Sequence, residues 1–319
     1  MNHQDIKNIT IVGGSGMMGV GIAQIFAAGG RNVTIKTRNV AKCTAVEDMS
    51  GQLDMFIKEG LLQESQKPQI LDRINITADA IEAYENADLI FESVPEVMEV
   101  KHATFIEMEK YARPDCIFAS GTSVKSITEI AQVVEKKERV VGMHFWNPAV
   151  LIPLVEVIRT EDTDESIFQA CFDMLEDCGK APAKCMKDVP GFLANRLQHA
   201  LWREAFYMLD EGIADPKTID DCIKNSFGFR VPQLAPFENA DMVSTELSLN
   251  IHKYMFEHLY SGTEPSKKLT ELVESGKSGF ATGQGFQAWT PEQAAQSKTN
   301  LFKYLIDQTK YRREKELEA

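Results

Sequence analysis

The chain has 319 residues and a mass of 35.7 kDa, a length at which one hydrophobic core usually gives way to two, so we expect two domains. Its 44% hydrophobic and 25% charged residues match average globular proteins and exclude the collagen-like, coiled-coil and disordered classes. A net charge of −13 repels nucleic acid and anionic lipid, so we expect neither as a partner. The six cysteines form no C-x-x-C motif and are typical of reduced thiols in a cytoplasmic protein.

The first predicted elements lie in an uncharged run of 23 residues between Lys7 and Arg31. This run is long enough to span a bilayer. It contains seven glycines, however, and lacks the basic start and the small-residue cleavage site of a secretory signal, so neither a spanning helix nor a signal fits it. The run instead splits into a β-branched strand, Asn8–Val12, a glycine-rich turn and a helix from Val20 to Ala28.

The turn carries the pattern G-x-G-x-x-G, with its glycines at Gly14, Gly16 and Gly19. In this pattern the first glycine permits the turn, the second lets the backbone approach a pyrophosphate, and the third allows close packing of helix on strand. The pyrophosphate would lie at the helix N-terminus, beside Met17 and Met18. A second strand, Asn32–Ile35, follows at the spacing of a βαβ unit, which favours a dinucleotide site over a purely structural turn.

The end of that second strand bears on the choice of cofactor. An NAD site usually has a carboxylate there for the ribose 2′-hydroxyl, whereas this chain has Lys36, Thr37 and Arg38. A hydroxyl followed by a guanidinium suits a 2′-phosphate, so among NAD(P) cofactors the residues favour NADP. The alternative is a solvated basic corner in which Thr37 alone holds the 2′-hydroxyl of NAD.

Short strand candidates separated by helices continue along the chain, which is the alternation of a parallel sheet covered on both faces. They are Ile74–Thr77, Leu89–Glu92, Ile117–Ala119, Val140–His144 and Leu154–Ile158. The predicted helices of this region are Val40–Glu59, one begun by a capping box at Ser126, and Ser166–Cys178. Residues 1–187 are therefore predicted to form an α/β domain with a Rossmann-type doubly wound parallel sheet that binds NAD(P).

From Asp188 onward the pattern becomes helical, and we predict an all-helical domain over residues 188–289. Its first helix has a stripe of residues spaced by four, namely Leu193, Leu197, Leu201 and Ala205. Asn195 lies about 200° around the helix from Leu193, off this stripe, and could face a cleft between the domains.

A C-terminal helical extension is predicted over residues 290–319. Thr290 is a capping residue, Pro291 suits the first helical position, and Gln293 completes a capping box. The apolar stripe of this helix needs a surface to cover, on its own chain or on a neighbour; it consists of Leu301, Phe302, Leu305 and Ile306.

A histidine and a glutamate are the candidates for proton transfer. His144 ends a predicted strand, and the carboxyl ends of parallel strands face the ligand crevice. Glu156 lies between valines in the next strand, where a carboxylate needs a partner, and an imidazole N–H would be one. The alternative is that His144 is a satisfied core histidine and Glu156 faces solvent at a sheet edge.

Several motifs occur in the order and spacing found in the L-3-hydroxyacyl-CoA dehydrogenase family, which the chain resembles up to about Trp289. These motifs are Gly14–Gln24, Phe91–Glu96 with Lys101, Ala119–Ser123, Gly142–Pro148, Leu154–Val157, Pro190–Arg196 and Thr282–Phe286. The resemblance implies a Rossmann domain joined to a helical dimerisation domain, hence a homodimer. It also implies oxidation of a 3-hydroxy group to a ketone on a small-molecule substrate, as in fatty acid metabolism.

The same resemblance implies roles for individual residues. His144 would be the catalytic base and Glu156 its orienting partner. Ser123 would bond the reacting oxygen and approach the nicotinamide, and Asn195 would contact the substrate carbonyl. The further positions that match family residues near the cofactor are Glu96, Lys101 and Asn147. No metal site is expected.

Departures from the family pattern bear on the substrate. Gly121 stands where the family has asparagine, Pro153 where it has lysine, and Phe280 and Ala281 where it has a basic pair. Fewer cations leave less to hold the phosphates of CoA. The substrate is therefore either a 3-hydroxyacyl-CoA such as 3-hydroxybutyryl-CoA, or a small free 3-hydroxy acid, as in the similar carnitine and L-gulonate dehydrogenases. A non-catalytic dinucleotide-binding protein is the alternative of another class.

Overall fold

The computed structural model describes residues 2–318, with side chains up to residue 315. Its described residues divide into two compact units, one formed by residues 2–194 with 303–318 and the other by residues 195–302. The predicted domain limits at 187/188 and 289/290 stay predictions. Within residues 2–318, no helix is both long enough and apolar enough to cross a membrane.

The first unit contains an eight-stranded sheet with strand order β3-β2-β1-β4-β5-β6-β7-β8. The strands are β1 (Asn8–Val12), β2 (Asn32–Lys36), β3 (Ile74–Thr77), β4 (Leu89–Glu92), β5 (Ile117–Ser120), β6 (Val140–Phe145), β7 (Leu154–Ile158) and β8 (Ala181–Cys185). The first six run parallel, and β7 and β8 run parallel to each other but antiparallel to β6. The predicted Rossmann-type architecture with a helical C-terminal part is thereby confirmed.

Two features of the sheet differ from the sequence prediction. Leu154–Ile158 is not parallel to its neighbour β6 but antiparallel, which brings His144 and Glu156 directly opposite each other. The edge strand β8 was not predicted because it contains Pro182, which has no N–H and is disfavoured inside sheets. An edge strand tolerates this proline, since only one of its sides pairs with a neighbour.

Helices cover both faces of the sheet, and each face has its own apolar cluster. Along β1, Ile9 and Ile11 pack into one cluster and Val12 into the other, as alternating side chains of a doubly covered strand must. The helices are α1 (Met17–Ala28), α2 (Ala45–Lys58), α3 (Gln66–Leu71), α4 (Ala80–Tyr84), α5 (Met98–Tyr111), α6 (Ile127–Ile130) and α7 (Glu165–Asp177).

Two predicted helices of this unit have outcomes of their own. The helix predicted from Val40 begins only at Ala45, because Cys43 is extended and separates α2 from a short 3-10 turn. At α6 the N-cap half of the predicted capping box is present, where the Glu129 N–H donates to the Ser126 hydroxyl over 3.2 Å.

The second unit is helical, and the described chain after Cys185 contains isolated bridges but no β-strand. Its helices are α8 (Ala194–Asp210), α9 (Pro216–Asn225), α10 (Phe227–Arg230), α11 (Pro236–Val243), α12 (Thr245–Met255), α13 (Lys267–Glu274) and the start of α14 (Pro291–Glu318). Few large apolar residues of this unit are buried, and Phe229 and Phe237 are 84% and 88% exposed. The unit therefore presents a broad apolar surface.

The predicted start of the last helix is confirmed by reciprocal capping. The Gln293 N–H donates to the Thr290 hydroxyl over 3.2 Å, and the Thr290 N–H donates to the Gln293 side-chain oxygen over 2.9 Å. In the second half of α14, Ile306 packs with Leu61 and Leu151 of the first unit. This part of the apolar stripe therefore covers a surface of its own chain.

Candidate active site

The glycine-rich turn after β1 is shaped by close packing. A Cβ on Gly19 would lie 2.5 Å from the Gly14 Cα, and a Cβ on Gly14 would lie 2.9 Å from the Ile35 side chain. Gly16 differs, because its nearest neighbour, the Gly13 carbonyl oxygen, would be 3.7 Å away. The outer two glycines are thus required by the packing of helix on strand, and Gly16 leaves an open side where a ligand can approach the backbone.

A cleft of about 1010 Å³ lies along the carboxyl ends of the parallel strands. The predicted cofactor residues that line it are Gly16, Met17, Met18, Gly19, Thr37, Arg38, Glu96 and Ser123. Helix α1 begins at this cleft with no side-chain cap and no acidic residue in its first turn, so its positive end faces the opening. These features fit the pyrophosphate of a dinucleotide.

Other predicted cofactor residues lie elsewhere. Gly14, Lys101 and Asn147 do not line the cleft. Gly14 packs against the Ile35 side chain of β2, Lys101 is buried, and Asn147 is exposed in the loop after β6.

The basic corner at the end of β2 has one compensated cation and one open cation. The Lys36 ammonium donates to both carboxylate oxygens of Glu107, over 2.9 and 3.0 Å. Arg38 forms no hydrogen bond or ion pair with any residue that the structure describes, and it lines the cleft with Lys42. Glu107 was not predicted here, since it lies on α5 and 71 residues away in sequence. Arg38 and Lys42 are therefore cations of the cleft that no described carboxylate compensates.

A buried carboxylate that sequence reasoning missed lies at the end of β4. Glu92 is 0% exposed, and its two oxygens accept from the Lys101 ammonium over 2.9 and 3.1 Å. The Ser120 hydroxyl and the Val94 N–H also donate to it, each over 2.7 Å. This Glu92 cluster therefore ties the ends of β4 and β5 to helix α5. The sequence signals were an acidic residue that ends an apolar strand and the family motif Phe91–Glu96 with Lys101, neither of which showed that the two side chains pair.

Glu96 connects the Glu92 cluster to the wall of the cleft. Its carboxylate lies 3.5 Å from the Lys101 ammonium and accepts from the Thr122 hydroxyl over 2.8 Å and the Ser123 N–H over 2.7 Å. Lys101 thus reaches Ser123 through Glu96 and does not itself line the cleft.

His144 and Glu156 form a buried pair between β6 and β7. Their backbones are paired partners, and the His144 Nδ1–H donates to a Glu156 oxygen over 2.7 Å. His144 is 5% exposed and Glu156 is fully buried, which excludes a glutamate facing solvent. With Nδ1 protonated and bound, Nε2 carries the lone pair and can accept a proton.

Glu156 holds its charge through further hydrogen bonds. The backbone N–H groups of Leu193 and Ala194 donate to one oxygen over 2.8 and 2.9 Å, and the Trp146 indole N–H donates to the other over 3.3 Å. Burial alone would raise the pKa of Glu156, but the hydrogen bonds from His144, these two N–H groups and Trp146 outweigh it, so that the pKa lies below its usual value. Glu156 is thus an ionised partner for the imidazole.

The two backbone donors come from a strained turn. Gly191 and Phe192 both have positive φ angles, of 76° and 50°, and Phe192 is fully buried against His144 with ring centres 5.7 Å apart. A left-handed phenylalanine is uncommon and persists only where its surroundings enforce it. Here it turns the next two N–H groups toward Glu156. Sequence reasoning missed these donors because backbone groups leave no side-chain signal.

Gly121 has a structural reason for departing from asparagine. A Cβ at this position would lie 2.7 Å from the Phe91 ring and 3.0 Å from the Glu92 carbonyl oxygen. Phe91 is fully buried and packs edge-on against Phe26 and Phe145, so it cannot yield this space easily. The Phe91 ring thus occupies the space that a side chain at position 121 would need.

Asn195 is the second residue of α8 and belongs to the second unit, so its predicted contact with the substrate carbonyl stays a prediction. Among the side chains of residues 2–315, no group of three or more His, Cys, Asp or Glu is placed to hold a metal ion.

Comparison with known proteins matches both halves of the chain to one family. The model of the 3-hydroxyacyl-CoA dehydrogenase NAD-binding domain matches residues 8–189, and that of the 3-hydroxyacyl-CoA dehydrogenase C-terminal domain matches residues 191–289. A probable 3-hydroxybutyryl-CoA dehydrogenase of Bacillus subtilis is 35% identical over 88% of this chain and 97% of its own length.

Two solved structures are similar along most of the chain. The (S)-3-hydroxybutyryl-CoA dehydrogenase PaaH1 of Ralstonia eutropha has a TM-score of 0.76 and 30% identity, and the match covers 89% of this chain and 99% of that chain. A 5-formyl-3-hydroxy-2-methylpyridine 4-carboxylic acid 5-dehydrogenase, described as an NAD+-dependent dismutase, has a TM-score of 0.87 and 29% identity over 96% of this chain and 98% of that chain.

Proposed function

The chain belongs to the 3-hydroxyacyl-CoA dehydrogenase family of NAD-dependent oxidoreductases, and we propose that it oxidises the 3-hydroxy group of a 3-hydroxyacyl substrate to a ketone. The observation that carries this proposal is the buried His144–Glu156 pair, whose bond of 2.7 Å fixes the imidazole tautomer. A nicotinamide dinucleotide, when bound, accepts the hydride from the carbinol carbon.

In the proposed reaction His144 Nε2 takes the hydroxyl proton while the C–H bond breaks and the C=O bond forms. The carboxylate of Glu156 stabilises the imidazolium that results. Ser123, whose backbone N–H is held by Glu96, would bond the reacting oxygen, and Asn195 would bond the substrate carbonyl. These contacts would orient the carbinol C–H toward the cofactor.

The acyl carrier is the finer part of the proposal. The family points to a CoA thioester such as 3-hydroxybutyryl-CoA. A small free 3-hydroxy acid is favoured by Phe280 and Ala281, which stand where the family pattern has a basic pair. The similar pyridine carboxylic acid dehydrogenase also acts on a compound without CoA, and its match covers more of this chain than that of the PaaH1 structure.

Initial rates of reduced-cofactor formation separate these substrates. Purified protein should be assayed at 340 nm with 3-hydroxybutyryl-CoA and with free 3-hydroxybutyrate, each with NAD and NADP. Turnover of the thioester supports the first substrate, and turnover of the free acid alone supports the second. Cofactor binding without reduction on any 3-hydroxy compound would instead indicate a non-catalytic dinucleotide-binding protein.

For the cofactor we propose NADP, with Arg38 on the 2′-phosphate, because Arg38 is the open cation at the end of β2. Arg38→Ala should weaken NADPH binding by about 10- to 100-fold, the effect of losing a hydrogen bond between charged groups, and should leave NADH binding nearly unchanged. Fluorescence titration measures both, with Lys58→Ala as a control on an exposed cation. Equal weakening of the two cofactors would refute the preference and favour NAD.

We also propose a homodimer formed through the second unit. Its support is the apolar surface of α11 and α12, where Phe237 and Tyr254 are 88% and 67% exposed. Large exposed apolar patches, unlike single scattered apolar residues, usually mark an interaction surface. Light scattering of the wild type and of Phe237→Glu tests it. A dimer that becomes a monomer in the variant supports the proposal, whereas a monomeric wild type would refute it.

A further inference from the structure

A second cavity lies in the first unit beneath the last helix, and its volume is about 290 Å³. Its lining is apolar for the most part, with Leu53, Phe56, Leu61 and Leu151 on one side and Leu305 of α14 on the other. None of the proposed cofactor or proton-transfer residues lines it. We call it the α14 cavity.

The described lining of this cavity contains cationic side chains but no carboxylates. Lys180, Arg312 and Arg313 line it, and no described Asp or Glu does, in a chain whose net charge is −13. The Arg313 guanidinium donates to the Leu61 carbonyl over 2.5 Å, whereas Arg312 makes no hydrogen bond or ion pair with a described residue. The cavity thus presents positive charge that its own walls leave unbalanced.

Lys180 is the inner cation. Its ammonium donates to the carbonyls of Ala149 and Ile152 over 2.6 and 2.7 Å, which leaves its third N–H without an acceptor among the described residues. Burial, and to a smaller extent the charge of Arg312, lowers the pKa of Lys180 to about 8. A bound anion would supply the counter-charge that is missing here.

Gln24 adds an unpaired polar group. Its side chain is 3% exposed and lines the cavity, and its Oε1 atom has no hydrogen-bond partner among the described residues. Buried amides are normally paired, because an unpaired one loses its hydrogen bonds to water. An unpaired amide beside a cationic cavity is expected where a polar ligand binds.

We propose that the α14 cavity binds a small organic carboxylate. The carboxylate group lies between Lys180 and Arg312, and the carbon chain packs among the leucines. A hydrogen-bond donor on the ligand, such as a hydroxyl group, would pair with the Gln24 Oε1. The volume lies near the lower end of the range for ligand pockets, which suits an acid of about six carbons. Inorganic phosphate has the charge but would leave the apolar walls unfilled.

The position of the cavity links its occupant to the active-site strand. Lys180 holds the carbonyls of Ala149 and Ile152, in the segment that enters β7, and β7 carries Glu156. Arg312 and Leu305 belong to α14, so the ligand would join the C-terminal helix to this segment. Binding should therefore stabilise the folded chain by mass action.

Isothermal titration calorimetry with hexanoate tests the proposal on the full chain saturated with reduced cofactor. The expected result is one site with a dissociation constant of roughly 1 mM or lower, given what ligands of this size achieve. Neutral hexanamide should bind at least tenfold more weakly, and inorganic phosphate should show no comparable binding.

Two variants locate the site. Arg312→Gln removes the open cation, and Leu305→Trp fills the cavity; each should weaken hexanoate binding by at least tenfold. Lys303→Gln, an exposed cation on the same helix outside the lining, should bind as the wild type does. Unchanged dehydrogenase activity verifies that the variants are folded. No hexanoate binding to the wild type, or wild-type affinity for hexanoate in both cavity variants, would overturn the proposal.

Discussion

Glu156 and Glu92 are both fully buried carboxylates in one sheet, but they are held by different partners. Glu92 is bound to the Lys101 ammonium and to the Ser120 hydroxyl. Glu156 is bound to an imidazole and to neutral N–H donors. Histidine is the side chain whose charge ordinarily changes near neutral pH, so a carboxylate hydrogen-bonded to an imidazole can stabilise the proton that the imidazole accepts. The difference predicts that Glu156 serves proton transfer and that Glu92 serves architecture.

Glu156→Gln is expected to have the largest effect. The glutamine oxygen can still accept from Leu193 and Ala194, but its amide group then points donors at the His144 Nδ1 and the Trp146 N–H. His144 must switch to the tautomer with Nε2 protonated and can no longer accept a proton. We expect kcat to fall by on the order of 10²- to 10⁴-fold, as when the carboxylate of a catalytic triad is neutralised.

Steady-state kinetics and cofactor titration measure this effect together. The cofactor dissociation constant should change little, and Glu176→Gln, an exposed glutamate on α7, is the matched control. A Glu156→Gln enzyme with wild-type kcat would show that both buried carboxylates are architectural.

Lys101→Met tests the other carboxylate. The substitution leaves Glu92 buried and without its cation, and breaking such a pair costs about 3–5 kcal/mol of the free energy of unfolding. Urea unfolding measures the loss. The double variant Lys101→Met with Glu92→Gln should recover part of it, because the unpaired charge is gone. A single variant as stable as the wild type would contradict the structural role of the Glu92 cluster.

Single hydrogen bonds to the two carboxylates allow a finer comparison. Ser120→Ala removes a buried bond of 2.7 Å to Glu92 and should cost about 1.5–3 kcal/mol of the free energy of unfolding. Trp146→Phe removes a longer, half-buried bond of 3.3 Å to Glu156 and should cost less. Chemical denaturation of both variants ranks the two losses. The reverse order would mean that the Trp146 bond to Glu156 stabilises the fold more than the shorter Ser120 bond to Glu92, contrary to this expectation.

The pH dependence of stability gives the smallest expected effect. Because the pKa of Glu156 is lower in the folded chain than its usual value near 4.5, the ionised group stabilises the fold above that pH. This contribution is lost as the pH falls through the lowered pKa. The part of the free energy of unfolding that ionised Glu156 contributes, measured as the difference between wild type and Glu156→Gln, should thus shrink as the pH falls below 4.5. Urea titrations across this range would show a constant difference if Glu156 did not titrate.

The sequence predicted the parts of the fold that depend on side-chain pattern. The glycine turn, the β-branched strands and the capping boxes at Ser126 and Thr290 each carry a local signal. The edge strand β8 carries the opposite local signal, Pro182, and only its place at the sheet edge explains it. The direction of β7 likewise depends on the connection before it, which no periodicity reveals.

The candidate site shows the same limit. The His144–Glu156 pair could be predicted because one strand end and one misplaced carboxylate pointed to it. The compensation of Lys36 by Glu107 could not, because it joins distant segments, and neither could the N–H donors after Phe192, because they are backbone groups. Glu92 and Lys101 occur together in a family motif, but the sequence did not show that they form a buried pair. From the sequence, Gly121 was interpreted as the loss of an asparagine amide from the wall of the site. The structure shows that the Phe91 ring fills the space which a side chain at this position would need.

The central claim, that His144 accepts the substrate proton, is tested most directly by His144→Ala. Formation of reduced cofactor from the best 3-hydroxy substrate should be followed in the wild type, in this variant and in His102→Ala, whose imidazole forms an exposed hydrogen bond with the Glu129 carbonyl. The predicted result is a loss of roughly 10²- to 10⁴-fold in kcat for His144→Ala alone, with unchanged cofactor affinity. Wild-type turnover by His144→Ala would contradict the claim.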